Sequence, residues 1–330
     1  MTAGGSGGAS NRVGTAGGSS PRIGTAAESR AAAASGLVIV DKPPRLTSHD
    51  VVARIRRLAG TRRIGHAGTL DPMATGVLVI GVDKATRLLG HLALTEKEYS
   101  ATIRLGQATD TDDADGEMVA ETSAAGVTDS ALHAAAAALT GEIRQVPPGF
   151  SAIKVGGKRA YRLAREGAAP DLAARTVTIR AFDIQAVRRC GDLLDVDVTV
   201  TCSSGTYIRA LARDLGTALG VGGHLTALRR TRVGPYEIGA ARTLDQLAAA
   251  FETIPLADAA AAAFPRRDLT AAEARLVAHG ARLPATVAGP APGAAGPGAG
   301  PVAAFGPDGS LIALLTEEAG QARPLAVFVP

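Results

Sequence analysis

The sequence predicts an α+β fold with a mixed, largely antiparallel central sheet flanked by helices. Apolar runs typical of strands recur along the chain, at residues 36–41, 77–81, 97–105, 176–184 and 193–201. Segments typical of helices lie among them, at residues 51–58, 86–94, 130–139 and 207–218. Strands and helices follow one another without a regular β–α–β repeat, and this irregular order favours α+β with antiparallel pairing.

The first strand is predicted at Gly36–Asp41 and ends at the turn Lys42–Pro44. Thr47 or Ser48 is then a suitable N-cap for a helix whose apolar residues share one face. The opposite face is basic and is continued by two further arginines, so that the set is Arg54, Arg56, Arg57, Arg62 and Arg63. The sequence leaves open whether these arginines are simply solvated or bind phosphate.

Changes in composition divide the chain into three parts. Residues 1–35 are rich in Gly, Ala, Ser and Thr, and they are predicted to be a disordered arm because they cannot bury enough surface to offset the entropy of ordering. Residues 36–265 contain the main strand and helix pattern, with a basic insertion near residues 145–175. Residues 266–330 are predicted to form a small β-rich module with a flexible Pro- and Gly-rich loop at 284–301.

Composition limits the classes of protein to which the chain can belong. Hydrophobic residues make up 46% of the 330 and Trp is absent, so the core must be mostly aliphatic. No run of about 18 or more apolar residues is present, so no membrane span is predicted. Two cysteines, Cys190 and Cys202, cannot form a disulfide framework and fit a reducing cytoplasm, which is the predicted location.

No sequence pattern indicates a metal or a nucleotide cofactor, and neither is predicted. The acidic run Asp110–Glu117 fails as a calcium loop, because placing Gly116 sixth puts Thr111 first and Thr122 twelfth, where acidic ligands are needed. A charged hairpin tip is the better interpretation of this run. The six histidines have no zinc spacing, and neither a Walker-type loop nor a Rossmann fingerprint is present.

Asp71 differs from the other acidic residues because it lies between Leu70 and Pro72 in a loop with three glycines. Glycine lets the backbone approach a ligand closely, and Pro72 restrains Asp71 toward extended dihedral angles. Two interpretations are open at this point. Asp71 either caps the segment that follows or acts as a functional carboxylate in a water-poor site beside a cation.

The string GHAGTLDPMATGVL, residues Gly65–Leu78, resembles the catalytic motif of TruB-type tRNA pseudouridine synthases. Further segments resemble that family's other motifs in the same order, namely Gly36–Pro43, Lys97–Ala101, Thr109–Gly116, Pro147–Lys154, Gly157–Tyr161, Gly205–Leu211 and Leu225–Arg230. Together they cover about residues 36–235. The resemblance implies the pseudouridine-synthase fold and a small PUA-like domain at residues 266–330, although that last region matches the pattern only loosely.

In this family an aspartate isomerises a uridine without metal or cofactor, and its position in the motif corresponds to Asp71. The resemblance implies that Asp71 either attacks the ribose C1′ or assists the departure of uracil through a glycal, and the sequence does not choose. Tyr99 corresponds to the aromatic residue that stacks on the flipped base and can take part in proton transfer. Arg209 corresponds to the arginine that pairs with the catalytic aspartate and orients it.

The resemblance also implies residues that bind the substrate. His66 is expected to hold or extrude the nucleotide, and Tyr207 and Leu228 are expected to line the uracil pocket. Core packing is the alternative for both His66 and Leu228. Contacts with the RNA backbone are expected from the basic clusters at residues 54–63, 154–165 and 229–232, in particular from Arg62, Arg63, Lys154, Lys158 and Arg162.

The substrate that the resemblance implies is uridine 55 in the T-loop of tRNA, recognised through the T-arm and the elbow region. The expected enzyme is a monomer that requires no protein partner. Two rival functions are an RNA-folding chaperone whose catalysis is secondary or absent, and a synthase that acts on other RNAs. The set of Asp71, Tyr99 and Arg209 argues against the chaperone, because a protein that only binds RNA has no need of a paired carboxylate.

Overall fold

A computed structural model describes Met1 and residues 34–151, 154–155, 158–159, 172–285 and 300–329. The arm predicted at residues 1–35 therefore lies almost entirely outside the described residues. So do most of the basic insertion, including Arg162, and residues 286–299 of the loop predicted at 284–301. The described residues from 34 onward belong to one compact unit.

The central sheet is mixed and largely antiparallel, which confirms the predicted architecture. Its strands are β1 (Gly36–Lys42), β2 (Ile64–Ala67), β3 (Thr75–Val82), β4 (Lys97–Leu105), β7 (Gly141–Gln145), β10 (Arg175–Cys190), β11 (Leu193–Cys202), β12 (Gly223–Val233), β13 (Tyr236–Glu237) and β14 (Ile254–Pro255). They are ordered β14-β1-β3-β12-β4-β11-β10-β7, with β2 paired to β3 and β13 paired to β12. Within the described residues β3 and β12 are parallel, and the other neighbouring pairs of this sheet are antiparallel.

Short hairpins and helices surround this sheet. The hairpins are β5 (Gln107–Thr109) with β6 (Met118–Glu121), and β8 (Lys154–Val155) with β9 (Lys158–Arg159). The α-helices are α1 (Ser48–Ala59), α2 (Leu89–Leu92), α3 (Asp129–Ala138), α4 (Ile208–Ala218), α5 (Leu244–Ala249), α6 (Leu256–Ala263) and α7 (Ala271–Ala278). The helix predicted at 86–94 is a 3-10 helix, Asp83–Leu88, followed by the single turn α2. A second 3-10 helix spans Ile238–Ala240.

Helix α1 begins at the cap that the sequence indicates. The Thr47 hydroxyl accepts the backbone N–H of Asp50, and the Asp50 carboxylate accepts the N–H of Thr47 at 2.9 Å, which completes a capping box. Gly60, with φ of 65°, ends the helix in the left-handed conformation. Val51 and Ile55 are buried beneath the helix, so α1 is fixed both at its ends and along its apolar face.

Strand β1 is apolar on both faces because both faces of the sheet are covered. Val38 and Val40 pack into a core that includes residues of α1, α3 and α4. Leu37 and Ile39 point to the opposite side, into a core shared with Phe305 of a second sheet. Side chains on the two faces of β1 therefore belong to two different hydrophobic cores.

The second sheet is built from residues 266–327 and has the order β15-β17-β18-β19-β16. Its strands are β15 (Arg266–Asp268), β16 (Leu283–Pro284), β17 (Val302–Phe305), β18 (Leu311–Glu318) and β19 (Gln321–Val327). The predicted hairpin is present as β17 and β18. The final strand, expected from Pro324, already begins at Gln321 because that residue pairs with Glu318.

Two segments differ from what the sequence indicates. The loop predicted at Arg63–Gly76 contains β2, whose Gly65 and His66 lie opposite Gly81 and Ile80 of β3. The sequence also gives no sign that residues 223–233 form β12, the strand between β3 and β4. That strand is rich in arginine, and such residues are central to a sheet only where the surrounding fold supplies acceptors for their charges.

Gly76 permits the close contact of β3 with β12. Its φ is 97°, and a Cβ at this position would lie 2.2 Å from the carbonyl oxygen of Arg230. We expect Gly76→Ala to lower the free energy of unfolding by about 2 kcal/mol or more, because backbone strain and steric overlap act together. Urea unfolding measures this change. The matched control is Gly90→Ala, where a Cβ meets nothing within 4 Å, and equal losses in the two variants would contradict the prediction.

Candidate active site

Asp71 lies in a loop whose flanking residues are fixed by hydrogen bonds from two directions. The Ser48 hydroxyl donates to the Leu70 carbonyl at 3.1 Å and accepts the Leu70 N–H at 2.9 Å. On the other side of Asp71, the Pro72 carbonyl accepts the backbone N–H of Arg45 at 2.8 Å. The start of α1 and the turn before it therefore determine where the carboxylate lies.

Lys42 is a buried cation beneath this loop. Its ammonium group donates to the carbonyls of Pro43 at 3.0 Å, Leu46 at 2.6 Å and Pro72 at 3.2 Å. Burial lowers the pKa of Lys42 to about 8, and the nearby carboxylate of Asp71 opposes that shift. Lys42 thus ties β1 to the loop and adds positive charge next to Asp71.

Arg209, the second residue of α4, bonds directly to Asp71. Its Nε lies 2.9 Å from Oδ2 of Asp71, while its other nitrogens donate to the carbonyls of Thr111 at 2.8 Å and Phe150 at 2.9 Å. The Arg209 side chain is 4% exposed, whereas that of Asp71 is 36% exposed. The Asp71 carboxylate is therefore held by a buried arginine and is still accessible to a ligand. Of the two interpretations that the sequence left open, the side chain bonds Arg209 and does not cap the next segment.

The acidic turn between β5 and β6 lies against α4 and contributes two buried carboxylates. Oδ2 of Asp113 is 3.5 Å from Nε of Arg209, and Oδ2 of Asp112 is 3.1 Å from Nη1 of Arg213. Burial raises the pKa of Asp112 to about 6, although Arg213 opposes the shift. The turn is a hairpin tip, as predicted, but it also packs inward and surrounds the guanidinium that pairs with Asp71.

Tyr99 lies on β4, directly across from Arg230 on β12. Both side chains are buried, at 7% and 1% exposure. Arg230 donates from Nε to the Val77 carbonyl at 2.7 Å and from Nη2 to the Gly68 carbonyl at 3.0 Å. Burial raises the pKa of Tyr99, and the positive charge of Arg230 opposes that shift. A cation therefore lies beside the ring that is predicted to meet the base.

The ionisation of Asp71 depends on opposing effects. Burial raises its pKa above the ordinary value, and Asp113 acts in the same direction. Arg209, followed by Lys42, lowers the pKa and so favours the ionised form. The carboxylate is therefore more basic than an exposed aspartate, while its cationic neighbours keep it from being neutralised entirely.

Three further predicted residues occupy different surroundings. His66 is half-buried, its ring lies 5.7 Å from that of His49, and burial lowers its pKa. Among the described residues its Nδ1 has no hydrogen-bond partner. Tyr207 directly precedes α4 and is partly buried next to Arg209. Leu228 lies in the main hydrophobic core on β12, where packing accounts for its burial without a ligand.

The predicted RNA-backbone residues that the structure describes lie on other segments than Asp71 and Arg209. Arg62 and Arg63 are exposed in the turn between α1 and β2, and Arg63 pairs with Asp83 at 3.3 Å. Lys154 and Lys158 lie on the two strands of the β8–β9 hairpin. Their contacts with RNA are still predictions.

Four residues of the site were missed at the sequence level: Lys42, Asp113, Gln145 and Arg230. Three of them lie inside segments that carry the family resemblance. Lys42 and Asp113 had no predicted role, whereas Arg230 was expected to bind phosphate; it is instead 1% exposed, and its guanidinium donates to backbone carbonyls. The fourth, Gln145, comes two residues before Pro147 and is 1% exposed. Burial of a polar side chain is the property that identifies it, and sequence does not reveal burial.

Within the described ranges, no three His, Cys, Asp or Glu side chains are grouped as ligands for a metal ion. None of the helices in those ranges is long and apolar enough to cross a membrane.

Known sequence families match consecutive parts of the chain. The TruB family pseudouridylate synthase (N terminal domain) matches residues 56–208, and the tRNA pseudouridylate synthase B C-terminal domain matches residues 209–262. The tRNA pseudouridine synthase II C-terminal family matches residues 264–329. The tRNA pseudouridine synthase B of Arthrobacter sp. (strain FB24) is 62% identical, over 90% of this chain and 97% of that protein. The protein of the same name from Thermobifida fusca (strain YX) is 60% identical, over 89% and 99%.

Solved structures show the same architecture. A Cbf5–Nop10–Gar1 complex contains a chain with a TM-score of 0.66 and 29% identity, over 89% of this chain and 85% of that one. An H/ACA RNP bound to a substrate RNA containing 2′-deoxyuridine gives a TM-score of 0.64 and 28% identity, again over 89% and 85%. The fold and these relatives define an RNA pseudouridine synthase, an isomerase. More narrowly, the chain belongs to the TruB family of pseudouridine synthases.

The raised pKa of Asp71 predicts a contribution to stability that depends on pH. This contribution is fully present below the ordinary carboxyl pKa and is lost as the pH rises through the raised value. We therefore expect the free energy of unfolding of the wild type to fall relative to that of Asp71→Asn as the pH rises from about 4 to neutral. Urea unfolding at the two pH values measures it.

The matched control for this prediction is Asp183→Asn, because Asp183 is exposed on β10. No change is expected for it at either pH. A gain for Asp71→Asn that is the same at both pH values would point to improved packing and would refute the electrostatic explanation.

Proposed function

We propose that this chain converts a uridine of tRNA to pseudouridine and that the target is uridine 55 of the T-loop. The observation that carries the proposal is the Asp71–Arg209 pair, in which a buried guanidinium holds an accessible carboxylate at 2.9 Å. The names of the relatives support tRNA as the substrate class. One neighbour of similar fold is described as bound to a substrate RNA. Position 55 rests on the family resemblance of the motifs.

Asp71 acts at the ribose C1′ of the target nucleotide. In one route its carboxylate bonds to C1′ while the C1′–N1 bond breaks, and in the other it assists the departure of uracil through a glycal. The freed base then rotates and its C5 bonds to C1′. In the first route the Asp71–C1′ ester bond breaks as this bond forms, and in the second the proton that Asp71 removed from C2′ returns there. Loss of the C5 proton and protonation of N1 complete the isomerisation. In either route Arg209 keeps the carboxylate ionised and pointed toward the sugar.

Tyr99 supplies the surface on which the flipped base stacks, and its hydroxyl is the candidate for transfer of the C5 proton. Tyr207, next to Arg209, and Leu228 line the uracil pocket in this proposal. His66 holds the nucleotide. Its lowered pKa favours a neutral ring, which has one donor nitrogen and one acceptor nitrogen.

The RNA is held outside the cleft by phosphate contacts. We assign these to Arg62, Arg63, Lys154, Lys158 and Arg162, which meet the T-arm near the elbow of tRNA. Two solved neighbours are described as complexes with Nop10, and one of them also with Gar1. For the present chain we propose a monomer that requires no protein partner and acts in the cytoplasm.

An RNA chaperone without catalysis is the alternative that the site argues against. A carboxylate that is partly desolvated and held by a buried arginine is unfavourable for RNA binding, because it repels phosphate. A carboxylate in this position is therefore explained by a role in catalysis, because it does not increase the affinity of the protein for RNA.

Release of tritium from uridine C5 tests the function directly. Wild-type protein is incubated, without added metal, with a T-arm stem-loop tritiated at C5, and tritium release is followed. Asp71→Asn is expected to lower the rate by on the order of 10⁴-fold or more, because the reacting carboxylate is lost. Asp183→Asn should keep the wild-type rate. A wild type that releases no tritium would sink the proposal, and an active Asp71→Asn would refute the site assignment.

The salt dependence of RNA binding tests the backbone contacts. The logarithm of the affinity decreases linearly with the logarithm of the salt concentration. For Arg62→Ala or Lys158→Ala, the magnitude of this negative slope should decrease by about 0.7 to 0.9 for each phosphate that the variant no longer binds. The rate of the bound complex should be unchanged. Filter binding at several salt concentrations measures the slope. The control is Arg275→Ala, at an exposed position on α7, and a slope change as large in this control would show that the assigned residues are not special.

A further inference from the structure

Gln145 forms a two-point hydrogen bond with the backbone of Tyr207. The Tyr207 N–H donates to Oε1 of Gln145 at 2.8 Å, and Nε2 of Gln145 donates to the Tyr207 carbonyl at 3.1 Å. The side chain is 1% exposed. Because the backbone offers one donor and one acceptor, only one orientation of the amide satisfies both bonds, and the geometry of the pair is fixed.

This pair lies at the start of α4. Tyr207 is the N-cap position of that helix, and no side chain caps the helix there. Helix starts usually depend on such a cap to hold the first turn. The Tyr207 carbonyl accepts both Gln145 and the N–H of Leu211, the first intrahelical bond of α4. The amide of Gln145, at the end of β7, therefore fixes the first turn in place of a cap.

Arg209 lies in this first turn, two residues after Tyr207. The segment that follows Gln145 is also attached to α4, since the Val146 carbonyl accepts Arg213 at 2.8 Å and the Phe150 carbonyl accepts Arg209 at 2.9 Å. A shift of the turn would move Arg209 relative to Asp71, which belongs to a different loop and is fixed independently.

We propose that Gln145 is a positioning residue for the reaction. Its amide sets the start of α4 and thereby the direction in which Arg209 meets Asp71. This inference rests on the proposed function of the Asp71–Arg209 pair. Gln145 touches neither the substrate nor the reacting atoms, and it acts through the backbone of Tyr207.

The variant Gln145→Met tests the inference because it keeps the length of the side chain and removes both hydrogen bonds. The single-turnover rate of tritium release from the T-arm stem-loop should fall about 10-fold or more, as expected for a small misplacement of a catalytic group. The Kd for the stem-loop should change less than about twofold, because no RNA contact is removed. Pre-steady-state release and filter binding measure the two quantities.

The pH profile distinguishes positioning from a loss of stability alone. Arg209 lowers the pKa of Asp71, so a looser pair raises it, and the acid limb of kcat/KM should move to higher pH. Arg209→Gln serves as the reference and should move the limb in the same direction. The other charged groups that act on Asp71, Asp113 and Lys42, are unchanged in the Gln145 variant.

Thr270→Val is the matched control. Thr270 caps α7 in the second sheet region, where the N–H of Glu273 donates to its hydroxyl at 3.3 Å. Loss of this cap should lower the unfolding midpoint without changing the rate of tritium release or the pH profile of kcat/KM. If Gln145→Met does not fold, Gln145→Asn keeps an uncharged amide that is one methylene too short to reach both backbone groups of Tyr207, and it is expected to move the rate and the acid limb in the same directions.

Three results would overturn the inference: a wild-type rate in the Gln145 variants, a slower rate with the acid limb in its wild-type place, or a loss of RNA affinity alone. These outcomes leave the proposed function intact because wild-type protein still releases tritium. If wild-type protein releases none, the proposed function fails and the inference falls with it.

Discussion

The buried guanidinium of Arg209 constrains the site more than any other group. With 4% of its side chain exposed, each of its N–H groups needs an acceptor inside the protein. The acceptors are the carboxylate of Asp71 and the carbonyls of Thr111 and Phe150, with Asp113 close by. They come from separate segments, so the loop, the acidic turn and the segment after β7 must all converge on α4 before the charge is satisfied.

Charge balance determines the electrostatic surroundings of the Asp71 carboxylate. Arg209 and Lys42 favour its ionised form, whereas burial and Asp113 raise its pKa. Lys42 and Arg230 are bonded to main-chain carbonyls and so cannot move out to meet phosphate. The basic residues therefore divide into a buried set that bonds the backbone of the protein and an exposed set, such as Arg62, whose contacts with RNA are still predictions.

Local patterns in the sequence were sufficient for much of the fold. The apolar strand β1, the cap at Thr47 and the hairpin of β17 and β18 depend on neighbouring residues, and each was predicted correctly. The α+β class with mixed, largely antiparallel pairing was confirmed. The motif around Asp71 marked the site, and the structure brings Arg209 to it, although 138 positions separate the two residues. Their chemical roles are still predictions.

The sequence by itself determined the longer strands β1, β3, β4, β10 and β11, the cap of α1 and the motif that contains Asp71, because these follow from dihedral preference and from contacts within a few residues. Tertiary structure decided what surrounds Asp71. Asp113 reads as a turn residue, no strand was predicted at Gln145, and β12 gave no strand signal at all. Their roles arise from contacts such as that of Gln145 with Tyr207, 62 positions away. Burial and satisfied hydrogen bonds are properties of the packed chain, and no local pattern encodes them.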